Sequence, residues 1–324
     1  MQISAIITAY NCEAYIGDAI KSVLAQTRQP DEIVVVDDGS TDGTAAIVRS
    51  YAAAGVRYVW QENGGPGAAR NRGIAETSGA LVCFLDGDDL WLPEKTARQE
   101  ALLAANPQTG MVTCDRWTWN VIHNKRRFDR YGVAPGRSLR REILVRNVIG
   151  NPSMVMIRRS VLDAVGGFDP AIRWAEDWEM WIRVAARAEI RVVPVPLMIY
   201  RSHTSGLSHT NLWARFGGQR RIAARAIGLY APAHARPLLL LRSWSVAEHA
   251  RAVYAVRYGL PLPQRMRHII AALISNPFEQ PAAKLKLVIH GLLGEEPYHR
   301  AKRRLREALG RGERPPHVEE LPLP

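Results

Sequence analysis

The sequence predicts an α/β fold, with a mostly parallel central sheet flanked by helices, followed by a basic α-helical C-terminal region. Short apolar runs alternate with helical segments over about the first 105 residues, which is the pattern of βαβ units. Three of these runs end in a polar cluster. Beyond about residue 205 no strand pattern remains, and helical stretches broken by Pro and Gly follow.

The strands and helices are predicted in regular alternation up to residue 114. Strands are predicted at residues 3–9, 32–36, 56–61, 80–85 and 111–114, and helices at 13–26, 43–54, 66–77 and from Pro93 to about 105. Pro66 stands near the first turn of its helix, where proline is favoured. The turn after the second strand holds Asp42, which is the expected helix cap.

The alternation loosens after residue 114. Residues 115–150 are polar and rich in Arg. The later elements are predicted as helices near 138–146, 176–188, 212–229, 237–257, 264–274 and 282–293, and as strands at 153–157 and 190–201. Prolines in the last strand confine parts of it to a sheet edge, and residues 310–324 are predicted to be disordered.

Charge divides the 324-residue chain into two parts. Hydrophobic residues make up 47% and charged residues 23%, which excludes a disordered, collagen-like or disulfide-stapled protein. Residues 1–204 carry 24 basic and 23 acidic side chains, whereas residues 205–324 carry 19 and 8. The basic part predicts an anionic partner such as a membrane surface. The alternative is a solvated helical appendage whose arginines provide solubility.

The cysteines and apolar runs predict a cytoplasmic location. Cys12, Cys83 and Cys114 have neither metal-ligand spacing nor a disulfide framework, so we expect reduced thiols that fill the core. The first residues lack the basic leader of a signal peptide, and no run reaches the roughly 18 apolar residues of a transmembrane helix.

The three polar clusters predict a single site. They are Thr8–Asn11 after the first strand, Asp37–Asp38 after the second and Asp86–Asp89 after the fourth. Ligands of parallel sheets bind at the carboxyl ends of the strands, and we therefore expect the three clusters to share one edge.

Asp86–Asp89 is the sharpest of these features. Three carboxylates within four residues repel one another unless a cation lies among them, and hard oxygen ligands suit Mg²⁺ or Mn²⁺. The competing interpretation is a solvated acidic turn, but the apolar strand before it favours the site. An EF-hand is excluded, since Trp91 and Ala97 stand where that loop requires Gly and Glu.

Two further segments have both a structural and a functional interpretation. Asp38 either caps the next helix or accepts a hydrogen bond from a base or a ribose. The run Gly64–Asn71 resembles a phosphate cradle at a helix start, in which Arg70 either neutralises a phosphate or is a surface residue. It lacks the third glycine and the first-turn position of a dinucleotide fingerprint, so a nicotinamide or flavin cofactor is excluded.

The Trp-rich helix begins with Glu176 and Asp177. These carboxylates either cap the helix through its dipole or supply a general base whose pKa is raised by a dry pocket. Its tryptophans, Trp174, Trp178 and Trp181, are either pocket walls or core. His203 is either a metal ligand or an ordinary histidine.

Together these motifs resemble the family 2 glycosyltransferases with the Rossmann-like GT-A fold. The matching segments are Ile6–Asn11, Val34–Asp42, Gly67–Asn71, Phe84–Asp89, Glu176–Asp177 and Tyr200–His203. The resemblance covers about residues 1–205, and it predicts a GT-A domain at 1–205 and a basic helical region with a disordered tail at 206–324.

The resemblance implies a role for each matching residue. Thr8, Tyr10 and Asp38 match positions that line the base of a nucleotide-sugar donor, usually a uridine diphosphate sugar, and Arg70 matches a position near the nucleotide. Asp86, Asp88 and His203 match positions that bind Mn²⁺ or Mg²⁺. Asp177 matches the general base of a single displacement with inversion, in which a hydroxyl of a glycan or lipid-linked acceptor attacks.

Other functions fit less well. A sugar-nucleotide pyrophosphorylase needs a glycine-rich, Arg-containing loop after the first strand, which Thr8–Glu13 is not. An inactive glycan-binding or scaffold protein, with the basic region docked on a membrane, stays open as the alternative. Nucleic acid is not expected as a partner, because the basic cluster at 300–306 lacks interleaved aromatic residues for base stacking.

Overall fold

The structure is a computed structural model that describes residues 1–203, 212–257 and 261–275 and the single positions 288 and 292. The chain divides into two compact units, formed by residues 1–143 with 147–215 and by residues 144–146 with 216–323. The boundary predicted near residue 205 lies beside residues outside the described ones, and it stays a prediction.

The first unit is built on one sheet, which has nine strands in the described part of the chain. They are β1 Ile3–Ala9, β2 Glu32–Asp37, β3 Val56–Trp60, β4 Leu81–Asp86, β5 Leu90–Trp91, β6 Thr109–Asn120, β7 Lys125–Asp129, β8 Met156–Arg158 and β9 Glu189–Ser202. Their order is β3-β2-β1-β4-β8-β6-β9-β5, with β7 paired to β6. Parallel pairing joins β1 to β2 and β4, β2 to β3, and β6 to β9, which confirms the predicted α/β class.

Helices flank this sheet. They are α1 Ile16–Leu24, α2 Thr44–Ser50, α3 Pro66–Ala75, α4 Lys95–Ala105, α5 Leu139–Glu142, α6 Arg159–Val165 and α7 Glu176–Arg187. In α1 the apolar residues Ile16, Ile20 and Val23 recur at helical spacing and are fully buried. Strands β1, β2 and β4 are apolar almost throughout and buried, as expected of parallel strands covered on both faces.

The largest difference from the sequence prediction is a hairpin. The predicted strand at 111–114 continues to Asn120 and pairs in antiparallel fashion with β7. Residues 152–154 form a 3₁₀ turn before β8, where the sequence predicted a strand from 153. The prolines of β9 lie in the part that has β6 as its described neighbour, since β5 pairs only with Met198 and Ile199, and Pro196 lies opposite Asp115 at an irregular step of the ladder.

The described part of the second unit consists of helices. They are α8 Leu212–Tyr230, α9 Arg236–Arg257 and α10 Leu262–Ser275, close to three of the predicted helices. Ala252 and Val256 of α9 and Ile269 of α10 form a buried apolar cluster between those two helices. None of the described helices is long and apolar enough to cross a membrane. The predicted helix at 282–293, apart from positions 288 and 292, the basic cluster at 300–306 and the tail at 310–324 lie outside the described residues.

Glu32 at the start of β2 makes the stability of the first unit dependent on pH. Burial raises the pKa of Glu32, but hydrogen bonds from Ser4, Ser78 and Gly79 outweigh it and lower the pKa to about 2. A carboxylate with a lowered pKa stabilises the fold above its unfolded pKa and loses that effect as the pH falls toward the folded value. We therefore expect Glu32→Gln to reduce the free energy of unfolding by about 1–2 kcal/mol at neutral pH.

Urea unfolding at neutral pH and at about pH 3 measures the difference in the free energy of unfolding between the unmodified chain and Glu32→Gln. The difference should shrink at the lower pH. Glu94→Gln serves as the control, because Glu94 belongs to a surface pair with Arg98 and is 58% exposed, so its loss should cost little. An equal loss of stability at both pH values would contradict the stabilising role of the ionised Glu32 carboxylate.

Candidate active site

The polar ends of β1 and β4 meet as the sequence predicted. Thr8 and Asp86 are paired in the parallel ladder, and the Thr8 hydroxyl donates to Asp86 Oδ1 over 3.5 Å. Tyr10 follows β1 directly, and the residue is 49% exposed. The carboxyl edge of the sheet thus brings the Thr8 hydroxyl and the Asp86 carboxylate together.

Arg70 on α3 ties this edge to helix α7. Its Nη2 donates to Asp86 Oδ1 over 2.8 Å and its Nη1 to Glu176 Oε1 over 2.9 Å. The side chain is only 5% exposed. Burial alone lowers the pKa of Arg70, but the two carboxylates raise it above its ordinary value, so the guanidinium stays charged. Arg70 is therefore a buried cation that neutralises Asp86, and not a surface arginine.

Asp38 organises the loop in front of α3. Its Oδ1 accepts hydrogen bonds from Gln61 Nε2 and Gly64 N, and its Oδ2 accepts from Gly65 N over 2.8 Å. These contacts occupy two of the glycine amides that the sequence assigned to a phosphate cradle. Asp38 is buried at 4% exposure, and its contact with a nucleotide base stays a prediction.

Asp88 and His203 meet in space although 115 residues separate them in the sequence. Asp88 Oδ2 lies 3.0 Å from His203 Nε2, and the exposed fractions of the two side chains are 29% and 9%. The His203 ring packs against Tyr15, with the ring centroids 4.5 Å apart. The structure therefore brings together an accessible carboxylate and an imidazole, two of the predicted metal-binding side chains.

Asp89 points away from them into the core. Its Oδ2 accepts hydrogen bonds from Ser153 Oγ over 2.7 Å and from Asn151 Nδ2 over 2.8 Å. Burial raises the pKa of Asp89, and the neighbouring carboxylates of Asp88 and Asp86 raise it further. Asp89 therefore holds the acidic turn in place, and its two neighbours face the edge of the sheet.

Arg201 clamps the turn from β9. Its Nε donates to the Asp88 carbonyl over 2.5 Å and its backbone amide to Asp89 Oδ1 over 3.2 Å. The far end of the guanidinium pairs with Asp18 over 3.1 Å. The end of β9 thus fixes the backbone of the acidic turn through Arg201 and positions His203 against Asp88.

Asp177 lies in the first turn of α7. Its Oδ1 accepts from the amide of Trp178 over 2.6 Å, and its Oδ2 accepts from Asn147 Nδ2 over 3.4 Å. Ala175 just before the helix has a φ of +62°, a left-handed conformation that is uncommon for a residue with a Cβ. Trp178 and Trp181 are buried and donate to backbone carbonyls, so they are core residues; Trp174 is half-buried.

Two connections join Asp177 to the acidic turn. Glu176, its neighbour on α7, reaches Asp86 through Arg70. The segment 147–153 makes the second connection, because Asn147 contacts Asp177 while Asn151 and Ser153 contact Asp89. Asp177 and the acidic turn are therefore linked by two chains of side-chain contacts.

The donor set fits a divalent cation that is shared with a substrate. Asp88 offers an oxygen ligand and His203 a nitrogen ligand. Asp86 contacts Arg70 through Oδ1, so its Oδ2 is a further possible ligand. No group of three or more His, Cys, Asp or Glu side chains in the described part of the chain is arranged to hold a metal by itself. Mg²⁺ is often bound by one or two carboxylates together with substrate phosphates, and imidazole also suits transition metals.

Sequence reasoning missed the residues that position the site. Glu176, Arg201, Asn147, Asn151 and Ser153 received no separate role. Arg201 belongs to the matching segment Tyr200–His203, and Glu176 directly precedes the predicted base, so both are adjacent in sequence to predicted site residues. The Asn and Ser residues carry no pattern, since their contacts depend on how a loop folds. All three cysteines are buried and free, as predicted.

The family of the chain follows from a comparison with protein-family models. The model described as glycosyl transferase family 2 matches residues 4–166, which is just over half of the chain. The chain belongs to glycosyltransferase family 2. The matched segment contains the acidic turn, Arg70 and the segment 147–153. Asp177, Arg201 and His203 follow it; Arg201 and His203 contact the acidic turn, and Asp177 contacts Asn147 in the segment 147–153.

Known relatives of this family 2 glycosyltransferase agree with the assignment. An uncharacterized glycosyltransferase of Nostoc sp. is 41% identical over 115 residues, which cover 35% of this chain and 36% of the relative. An uncharacterized glycosyltransferase of Rickettsia typhi is 30% identical over 217 residues, covering 65% and 67%. The chain thus spans about a third of the Nostoc relative's length.

Solved structures share the GT-A fold with this family 2 glycosyltransferase. S. aureus TarS 1–349 in complex with UDP matches with a TM-score of 0.60 and 18% identity, covering 95% of this chain and 92% of that one. The mannosyltransferase PcManGT from Pyrobaculum calidifontis, in complex with GDP-Man and Mn²⁺, matches with a TM-score of 0.61 and 21% identity, covering 96% and 86%. The chain covers 52% of a longer TarS chain.

Proposed function

We propose that this chain is an inverting, divalent-cation-dependent glycosyltransferase that moves a sugar from a nucleotide diphosphate sugar to a hydroxyl of a glycan or lipid-linked acceptor. The observation that carries the proposal is the Asp88–His203 contact at the carboxyl edge of the sheet, in one site with Asp177. That site provides both a place for a diphosphate and a base for the acceptor.

The donor side of the proposal rests on Arg70, Asp86, Asp88 and His203. Asp88, His203 and Asp86 Oδ2 would hold Mn²⁺ or Mg²⁺, which when bound stabilises the negative charge on a leaving diphosphate. Arg70 holds Asp86 in orientation through a 2.8 Å ion pair. Its Nε is buried and has no hydrogen-bond partner in the described part of the chain.

The acceptor side of the proposal rests on Asp177. An acceptor hydroxyl attacks the anomeric carbon as the bond from that carbon to the diphosphate oxygen breaks, and the leaving oxygen keeps the electron pair. Asp177 takes the hydroxyl proton. The amide donors of Asn147 and Trp178 orient its two oxygens. Because a single displacement occurs on the face opposite the leaving group, the configuration inverts.

Uridine diphosphate is our first choice for the nucleotide, and two neighbours support a nucleotide-sugar donor in general. TarS has been solved with UDP and with UDP-GlcNAc, and PcManGT with GDP-Man. Thr8, Tyr10 and Asp38 are the residues that we assign to the base. A membrane contact through residues 206–324 remains a prediction.

The proposal is tested by release of nucleoside diphosphate from a panel of UDP-glucose, UDP-GlcNAc and GDP-mannose. We expect UDP release that disappears on treatment with EDTA and returns when Mn²⁺ or Mg²⁺ is added, because no three His, Cys, Asp or Glu side chains in the described part of the chain are arranged to hold a cation without the substrate. Activity that EDTA leaves intact would refute the cation requirement. Absence of both turnover and donor-induced thermal shift would favour the inactive scaffold protein.

A further inference from the structure

The β6–β7 hairpin carries a cation that the proposed donor and base chemistry does not use. The guanidinium of Arg116 lies over the rings of Tyr200 and Tyr131, with its Cζ 4.5 Å and 5.2 Å from the two centroids. Cation–π contacts hold a guanidinium by its flat faces and leave the N–H groups at its edge free to donate. The Arg116 side chain is 14% exposed.

The charge of Arg116 is only partly neutralised. Its one hydrogen bond among the described residues runs from Nε to Asp129 Oδ2 over 3.4 Å. Asp129 is already occupied, because Arg127 Nε donates to its Oδ1 and Thr118 Oγ1 to its Oδ2, both over 2.6 Å. The four remaining Nη donors of Arg116 have no partner in the described part of the chain, and they are not sealed from solvent.

Contacts through Tyr131 place this cation on the side of Asp177. A Cβ built on Gly150 would lie 3.0 Å from Tyr131 Cε1, so the ring packs directly on that glycine. Asn147 Nδ2 donates to the carbonyl of Gly150 and to Asp177 Oδ2. Burial raises the pKa of Tyr131; among the charged groups that act on this ring, Arg116 lowers the pKa and Asp177 raises it.

We infer that Arg116, held between Tyr131 and Tyr200, is a binding residue for an acceptor that carries a phosphate or carboxylate near its attacking hydroxyl. Arg offers paired donors to such anions. The opposite face of the hairpin is different, since Trp119 carries Arg126 over its ring. The inference rests on the proposed function and specifies the class of acceptor.

Binding of small anionic sugars tests the inference in metal-free buffer, where no cation can hold the anion. Glucose 6-phosphate, glucuronic acid and glucose are titrated into the whole chain, and dissociation constants are measured by saturation-transfer NMR. We expect the two anionic sugars to bind about tenfold or more tightly than glucose. Arg116→Gln should abolish that preference, Arg116→Lys should restore part of it, and Arg126→Gln should leave it unchanged.

Several results would overturn the inference. They are equal binding of the three sugars to the unmodified chain, an unchanged preference in Arg116→Gln, and an equal loss in Arg126→Gln, which would indicate diffuse surface charge. A second readout is the thermal shift by UDP with Mn²⁺. A loss of this shift in Arg116→Gln would place Arg116 on the donor phosphates instead. The sugar titration needs no turnover, so it succeeds or fails independently of the proposed transfer.

Discussion

Asp88→Asn should reduce sugar transfer about 10²–10³-fold, the size of effect seen when a group that stabilises transition-state charge is removed. The amide is isosteric, so the loss would come from charge and ligand strength. Asp88 contacts His203, which follows it by 115 positions in the sequence, and the Asp88 side chain is 29% exposed at the edge of the sheet. Nucleoside diphosphate release with saturating donor and Mn²⁺ measures the change.

Asp18→Asn is the matched control for this prediction. Asp18 pairs with the far end of Arg201 over 3.1 Å, and its side chain is 51% exposed. Because the Asp18 end of this pair is half exposed to solvent, we expect its loss to cost little and to leave transfer near the level of the unmodified chain. Full activity in Asp88→Asn would contradict the proposal that Asp88 binds the divalent cation. Loss of activity in both variants would indicate a structural effect of the Arg201 clamp.

Asp177→Asn should lower turnover by about 10²–10⁴-fold, which is the usual contribution of a general base. The amide cannot accept the proton of the attacking hydroxyl. Asp177 contacts Asn147 and Trp178, and Asp88 contacts His203. Donor binding should therefore survive, and the thermal shift with UDP and Mn²⁺ should equal that of the unmodified chain. Single-turnover kinetics separate the two effects.

Glu179→Gln provides the comparison for Asp177. Glu179 lies in the first turn of the same helix, but it pairs with Arg183 over 2.7 Å. Glu179 is exposed to the same helix dipole as Asp177, but it is not one of the proposed site residues. The Glu179→Gln variant should therefore retain its turnover. If Asp177→Asn turned over normally, the base would be another group. If donor binding fell in step with turnover, Asp177 would act through the structure of α7.

Much of the first unit could be predicted because β1, β2 and β4 are buried on both faces. Continuous apolar runs such as Ile3–Ala9 have few other interpretations in a globular chain. The hairpin was missed because residues 115–130 are rich in arginine. The signal was present, since Trp117 and Trp119 alternate with polar residues, as in a half-buried strand.

The location of the site was more predictable than its internal contacts. Parallel strands bring their carboxyl ends to one edge, and Thr8 and Asp86 accordingly meet. Sequence alone gave no means of deciding that Asp38 would accept hydrogen bonds from glycine amides or that Asp89 would turn inward. The Asp89 carboxylate accepts hydrogen bonds from Asn151 and Ser153, which follow it by 62 and 64 positions in the sequence. Its orientation therefore depends on tertiary folding.

The clamp formed by Arg201 and His203 has a consequence for biosynthesis. A nascent polypeptide that has emerged only as far as residue 166 contains the whole family-matched segment. It still lacks the groups that bind Asp88 and Asp89 from 112 to 115 positions downstream. Chains fold from the amino terminus during translation. The contacts that Arg201 and His203 make with the acidic turn therefore form only after β9 has been synthesised and has joined the sheet.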